Sequence, residues 1–306
     1  MTSIGNKRLW LSLVALAGAS ALSLPAYSQQ ASTGENSLSA MLPDNIREAG
    51  KVTLATDASF GPPWFYQPEG EIGFAGIDYD LITAAVEKLG IEVQIESLGF
   101  QGIIPGLSSG RYDIAMVGMS LTAERTQQID MIGYVIDGNS IVVKAGNPLS
   151  IQTLDDLCGH PVAAATGTFQ LTILEEQSEK CGDNPMQISR FPTKQDTFLQ
   201  IRSGRAVATM DGYAVSHYLQ THSVPGSESI EPVATQSPER IKALGIGLRK
   251  NNDQLRDALQ AALQKMVEDG TYLEILEKWG IKELALETIS INDPDLDENP
   301  HLKADF

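Results

Sequence analysis

The sequence predicts an α/β protein built on mainly parallel sheets. Short apolar runs rich in β-branched residues alternate with helical patterns along most of its length, the signature of repeated strand–helix units. The alternation starts at Val52 and begins afresh after Thr153, so the same pattern is read twice. Hydrophobic residues make up 42% of the 306, enough to bury one large core or two modest ones.

The elements follow in order. Val52 to Thr56 reads as a short buried strand, and Phe60 to Gly76, rich in Pro, Gly and aromatics, as a loop. Leu81, Ile82, Ala85, Val86 and Leu89 share one helical face, and Ile91, Val93 and Ile95 alternate as a strand. Pro105 sits where a first helical turn accepts it. Asp113 to Val117 and Ser140 to Val143 read as further strands. Thr153-Leu154-Asp155-Asp156 opens a capped helix. Next come a strand at Pro161 to Ala165, a helix at Leu171 to Lys180 and a strand at Ile188 to Phe191. A helix at Thr197 to Ser203 and a strand at Ala206 to Met210 complete the second series. Leu244, Ile246 and Leu248 alternate once more. Two helices, Leu255 to Glu268 and Tyr272 to Trp279, each close on a glycine, Gly270 and Gly280. From Asp293 the chain is acidic and Pro-bearing, and is expected to fray.

The N-terminus reads as an export signal. Lys7 and Arg8 precede an apolar run from Leu9 to Leu24, and Ala26-Tyr27-Ser28 supplies the small residues that signal peptidase needs. The run is short for a membrane span; an uncleaved anchor is the alternative. No cysteine follows it, so lipid attachment is not expected. The net charge of −17 becomes more negative once those two basic residues are discounted, and such a surface repels phosphate backbones and anionic lipid. Nucleic-acid and membrane-surface work are therefore excluded.

Cys158 and Cys181 form an even pair in an exported chain, which favours a disulfide over two buried thiols. It would close a loop of about 24 residues, worth roughly 3 kcal/mol. His160, His217, His222 and His301 show no metal-ligand spacing. There is no P-loop or Gly-x-Gly-x-x-Gly, and neither a metal nor a cofactor is expected.

Two glycine-bearing turns after strands can present backbone N–H groups to an anion: Gly167-Thr168-Phe169 and Gly118 to Arg125. In the second, Gly118 permits close approach, Ser120 offers a hydroxyl, and Arg125 carries the side chain best shaped for a carboxylate. Taken alone, Arg125 reads equally as a solvated surface residue.

The order of several motifs resembles the periplasmic polar-amino-acid-binding proteins of ABC importers, solute-binding protein family 3. They are Leu54-Ala55-Thr56-Asp57 with Pro62-Pro63-Trp64; Gly76-Ile77-Asp78-Tyr79-Asp80-Leu81; and Phe100-Gln101-Gly102-Ile103-Ile104-Pro105-Gly106-Leu107. Tyr112-Asp113, Gly118 to Arg125, and Asp269-Gly270-Thr271-Tyr272 with Lys278-Trp279-Gly280 complete the set. The resemblance runs from about Lys51 to Gly280. It implies a two-lobed type II periplasmic-binding-protein fold with two hinge strands, near Gly138 to Val143 and near Val233 to Leu244. After a signal peptide at 1–28 and a lead-in at 29–50, residues 51–137 and 236–282 would form lobe 1. Residues 138–235 would form lobe 2, and 283–306 an acidic tail.

By the same resemblance, Arg125, Ser120 and the backbone at Thr168-Phe169 hold a ligand α-carboxylate. Asp211 and the carbonyl near Gly118 hold the α-ammonium. Phe60 and Phe100 sandwich the side chain, and Asp57 touches its polar end. Each aromatic also reads as plain core, and Trp64 as a residue of the cleft mouth. Asp78 and Asp80 read as caps of the helix that follows. The segment Gly204 to Asp211 departs from the family by one residue, which puts the register of Asp211 in question. Ala165 departs too: some members carry a side-chain-reading Lys there. The expected function is that of a monomeric, non-catalytic importer component partnered by a membrane permease. A secreted cyclohexadienyl dehydratase on the same fold is the alternative, with Glu175 or Glu176 as its acid. A receptor-linked binding protein would share the ligand chemistry.

Overall fold

A computed structural model of the protein describes residues 38–222, 227–234 and 241–294. The expected signal at 1–28 and the last acidic residues lie outside them. Ten strands fall into two five-stranded sheets. The first has the order β2-β1-β3-β10-β4, with β1 Lys51–Thr56, β2 Glu92–Ser97, β3 Ile114–Ala115, β4 Ile129–Asp137 and β10 Lys242–Arg249. The second has the order β7-β6-β8-β5-β9. Its strands are β5 Asn139–Lys144, β6 Pro161–Ala165, β7 Gln187–Phe191, β8 Ala208–Gly212 and β9 Ile230–Ala234.

The two sheets repeat one plan, as the restarted pattern predicts, but each is mixed rather than mainly parallel. In both, one strand is flanked by two parallel neighbours (β2 and β3 on β1; β7 and β8 on β6), and the remaining two ladders are antiparallel. Only Gly138 separates β4 from β5. β4 and β5 carry the chain from one sheet to the other, and β9 and β10 bracket its return.

Nine helices, among the described residues, accompany the sheets. They are α1 Asp44–Ala49, α2 Ile77–Lys88, α3 Ile103–Ser108, α4 Ala123–Gln128, α5 Phe169–Lys180, α6 Lys194–Arg202, α7 Tyr213–Thr221, α8 Asp253–Asp269 and α9 Thr271–Lys278. The apolar stripe of α8, with Leu255, Leu259, Leu263 and Met266, is fully buried. Gly270 ends it in the left-handed region at φ 88°.

Five readings need correction. The helix expected at Thr153 is a single 3-10 turn, Asp155–Leu157. The Asp156 carboxylate accepts from the N–H groups of Gln152 and Thr153, and Cys158 then turns to extended backbone. The helix expected to start at Thr197 starts at Lys194, because Thr193 caps it by accepting from the Asp196 N–H at 3.2 Å. The strand read at Asp113 to Val117 narrows to Ile114–Ala115, and the one read at Ala206 to Met210 sits two residues later. Residues 283–292, expected to open the tail, pack on the first sheet: Leu284 and Ile289 are buried, Ile291 bridges Ile132, and the Asn292 N–H donates to the Met131 carbonyl.

Cys158 and Cys181 are joined in a disulfide with Cα atoms 5.6 Å apart. The bond ties the entry to β6 to the C-terminus of α5, so the loop it closes carries Gly167, Thr168 and Phe169. Replacing both cysteines with Ser should cost about 3 kcal/mol of stability. Differential scanning calorimetry should find Tm lower by roughly 6–12 °C, and an unchanged Tm would contradict the entropic account.

Candidate ligand-binding site

Arg125 occupies the first turns of α4, which Thr122 starts by accepting from the Arg125 N–H at 3.3 Å. The loop leading to α4 is fastened to β10: the Leu121 N–H donates to the Ala243 carbonyl, and the Gly245 N–H to the Met119 carbonyl. So anchored, the Arg125 side chain is 9% exposed rather than solvated. Nη1 donates to the Ser120 carbonyl at 2.6 Å and Nη2 to the Gly167 carbonyl at 2.9 Å, which links the first sheet's loops to the second sheet's. No carboxylate pairs with it among the described residues. Burial pulls its pKa down to about 10, with the neighbouring Glu124 working the other way.

The guanidinium borders a cavity of about 500 Å³ that also touches Phe100, Gln101, Thr166, Thr168 and Phe169. The 12-residue helix α5 starts there. Thr168 is its N-cap, accepting from the Leu171 N–H at 3.3 Å and donating to the Ala165 carbonyl at 2.8 Å. The positive end of that helix and Arg125 therefore bear on the same space. Ser120 meets Arg125 through its carbonyl, not its hydroxyl.

The aromatic pair stacks directly: the Phe60 and Phe100 centroids lie 5.4 Å apart with planes at 27°. A side chain held between them requires the rings to part. The Arg125 guanidinium lies over Phe100, 5.6 Å from the centroid, and the Lys194 ammonium lies over Phe60 at 4.2 Å. Lys194, at the start of α6, is buried in an ion pair with Asp211 on β8. Sequence reading missed Lys194, since a lysine at a helix start gives no local sign of facing a distant strand.

Asp211 is thus brought towards the aromatic pair through Lys194 but does not line the cavity. Its Oδ1 takes both Lys194 and the Gly212 N–H, while Oδ2 has no partner among the described residues. Asp57 turns inward too. Its Oδ1 accepts from the Ser59 N–H and hydroxyl, and its Oδ2 from the Phe100 N–H at 2.9 Å, so it positions Phe100. Gly118, at φ 57°, leaves its N–H to Asp78 and has the Trp64 ring 3.1 Å from where a Cβ would stand. Trp64 is accordingly core, at 1% exposure, and not part of a cleft mouth.

The two acids read as caps serve elsewhere. Asp78 accepts from the Gly118 N–H at 2.7 Å and from the Tyr134 hydroxyl at 2.6 Å, tying α2 to the strand that crosses between sheets. Asp80 accepts from Lys278 and from the Trp279 indole. α2 itself starts without a side-chain cap. Burial raises the Asp78 carboxyl to about 7. Asp137, the last residue of β4, also rises to about 7 by burial, against the Ala214 N–H and Lys194, which lower it.

These two shifts set a pH dependence. Both carboxyls hold a proton more tightly folded than unfolded, so between about pH 4 and pH 7 the native state binds more protons and stability falls as pH rises. The urea midpoint should drop from pH 5 to pH 7.5, and Asp78→Asn should flatten part of that slope. A midpoint that climbs over the same range would refute the assignment.

Residues 52–282 match the family model described as bacterial extracellular solute-binding proteins, family 3. The chain belongs to this family. Among relatives in it, the L-cystine-binding protein TcyJ of Escherichia coli is 26% identical over 237 residues, 77% of this chain and 85% of TcyJ. The arginine-binding extracellular protein ArtP of Bacillus subtilis is 27% identical over 236 residues, 75% of this chain and 86% of ArtP. An ancestral arginine-binding protein solved with arginine aligns at TM-score 0.66 and 32% identity, over 76% of this chain and 98% of its own. An ancestral amino-acid-binding protein described as a precursor of cyclohexadienyl dehydratase aligns at TM-score 0.68 and 29% identity, over 77% and 98%. The fold is the family's two-lobed one, and Arg125, Thr168 and Phe169 lie where the two sheets' loops meet.

Proposed function

We propose that this protein is the solute-binding component of an ABC importer, that it is exported to the periplasm with residues 1–28 removed, and that it closes on a free amino acid. One observation carries the reading: a buried guanidinium without a carboxylate partner, at a cavity that also receives a helix N-terminus. A buried cation left unpaired is costly, and an α-carboxylate supplies the charge and the paired acceptors that Arg125 lacks. The cavity of about 500 Å³ suits a molecule of that size.

In this reading the lobes are residues 51–137 with 236–282, and 138–235. The ligand docks through Arg125 beside Phe60 and Phe100, with Ser120 and the Gly118 backbone lining the same loop. Thr168, Phe169 and Asp211 then arrive from the other lobe, the free Oδ2 of Asp211 taking the ammonium. Contacts available only when both lobes meet the ligand drive closure, and the closed monomer is what a permease recognises. The protein is a binder and not an enzyme. Glu175, one of the two acids a dehydratase would use, is half-buried and paired with Arg190, and neither it nor Glu176 lines the Arg125 cavity.

A thermal-shift panel of the common amino acids on the mature chain tests this. A ligand at 100 times its Kd adds about 2.7 kcal/mol, so a clear rise in Tm is expected for at least one. No shift with any amino acid, or turnover of prephenate, would overturn it.

A further inference from the structure

We infer that Lys194 is a specificity-determining residue, making the side-chain subsite select an amide or acidic amino acid and reject a cationic one. The inference rests on the amino-acid-binding reading above. The Lys194 ammonium is buried over Phe60, one of the two rings against which a ligand side chain would lie. An ammonium carries three donors and no acceptor, and one donor is spent on Asp211. What it offers an incoming side chain is therefore positive charge and hydrogen-bond donors.

The carboxylates that would welcome a cation are occupied or remote. Both oxygens of Asp57 already accept from the protein, Oδ1 from Ser59 and Oδ2 from the Phe100 N–H. Oδ1 of Asp211 is held by Lys194 itself, and its Oδ2 is the acceptor assigned to the ligand's α-ammonium. Asp137 faces the Ala214 N–H. Among residues lining the cavity the one acid is Glu124, which is exposed and next to Arg125. A guanidinium or second ammonium would therefore meet Lys194 with no free counter-charge, a like-charge juxtaposition that discriminates by repulsion. A carboxylate or amide oxygen would accept from it. Lys194 enters the site because α6 packs on the 58–61 turn, with the Gln195 amide close against Gly61.

Calorimetric titration with glutamate, glutamine, arginine and lysine tests this on the full mature chain. The native protein should bind glutamate or glutamine at least about 10-fold more tightly than arginine or lysine. Lys194→Gln, which still donates to Asp211, should shrink the glutamate-to-arginine ratio about 10-fold or more, whereas Lys194→Arg should preserve it. Arginine binding as tightly as glutamine in the native protein sinks the inference even if no variant folds. An unchanged ratio in Lys194→Gln, with all affinities moved together, would make Lys194 structural and also overturn it. If no amino acid binds at all, the parent reading fails and takes this one with it; a flat ligand profile leaves the parent reading standing.

Discussion

Replacing Arg125 with Ala is expected to weaken amino-acid binding by roughly 30-fold to a few thousand-fold, about 2–5 kcal/mol. The magnitude follows from position. Two of the five guanidinium donors hold the Ser120 and Gly167 carbonyls, which fixes the plane of the group and leaves three donors for a ligand. Removing it would strand a ligand carboxylate in a desolvated cleft beside a helix N-terminus alone. Arg125→Lys should recover only part of the loss, since a point charge cannot keep both carbonyls and grip two carboxylate oxygens together. Isothermal titration with whichever amino acid stabilises the native chain measures it. Affinity within a factor of two of the native value in Arg125→Ala would remove the guanidinium from the site.

The second large effect is on stability. Asp211→Ala should lower the unfolding free energy by about 3–5 kcal/mol, because it leaves the Lys194 ammonium buried without its partner. The loss belongs to the stranded charge more than to the pair, so adding Lys194→Met should restore much of it. Urea unfolding of the two single variants and the double variant closes the cycle. If the double variant is as unstable as the sum of the singles, the ion pair is not what holds α6 to β8. The binding experiment is independent of this result, since the native protein serves there as its own reference.

Much of the architecture was legible because it is local. β6 at Pro161–Ala165 was read to the residue, since its apolar run is bounded by turn residues and its length is a strand's. α8 and α9 were placed within two residues by their apolar stripes and the glycines that end them. α7 was missed: Tyr213 to Thr221 mixes aromatics, His and Gln, and its helical state rests on the Asp137 carboxylate accepting the Ala214 N–H, a contact made 77 positions away. The long strand β4 was missed also. It is buried at all nine positions, so no alternation marks it.

The site divides the same way. Residue type and order alone supplied the expectation of an export signal, the even cysteine pair and the place of Arg125 after a buried strand, because those properties are written in contiguous residues. Tertiary structure decided what Arg125, Asp57, Asp78 and Asp211 do there. Packing buried Arg125, turned Asp57 into the clamp on Phe100, made Asp78 a brace on Tyr134 rather than a cap, and set Lys194 against Asp211. The physical reason is that a charged side chain's role depends on which partner meets it once water is excluded. Those partners come from 17 to 56 positions away, brought together by packing on one sheet for Asp57, Asp78 and Asp211 and across the two sheets for Arg125.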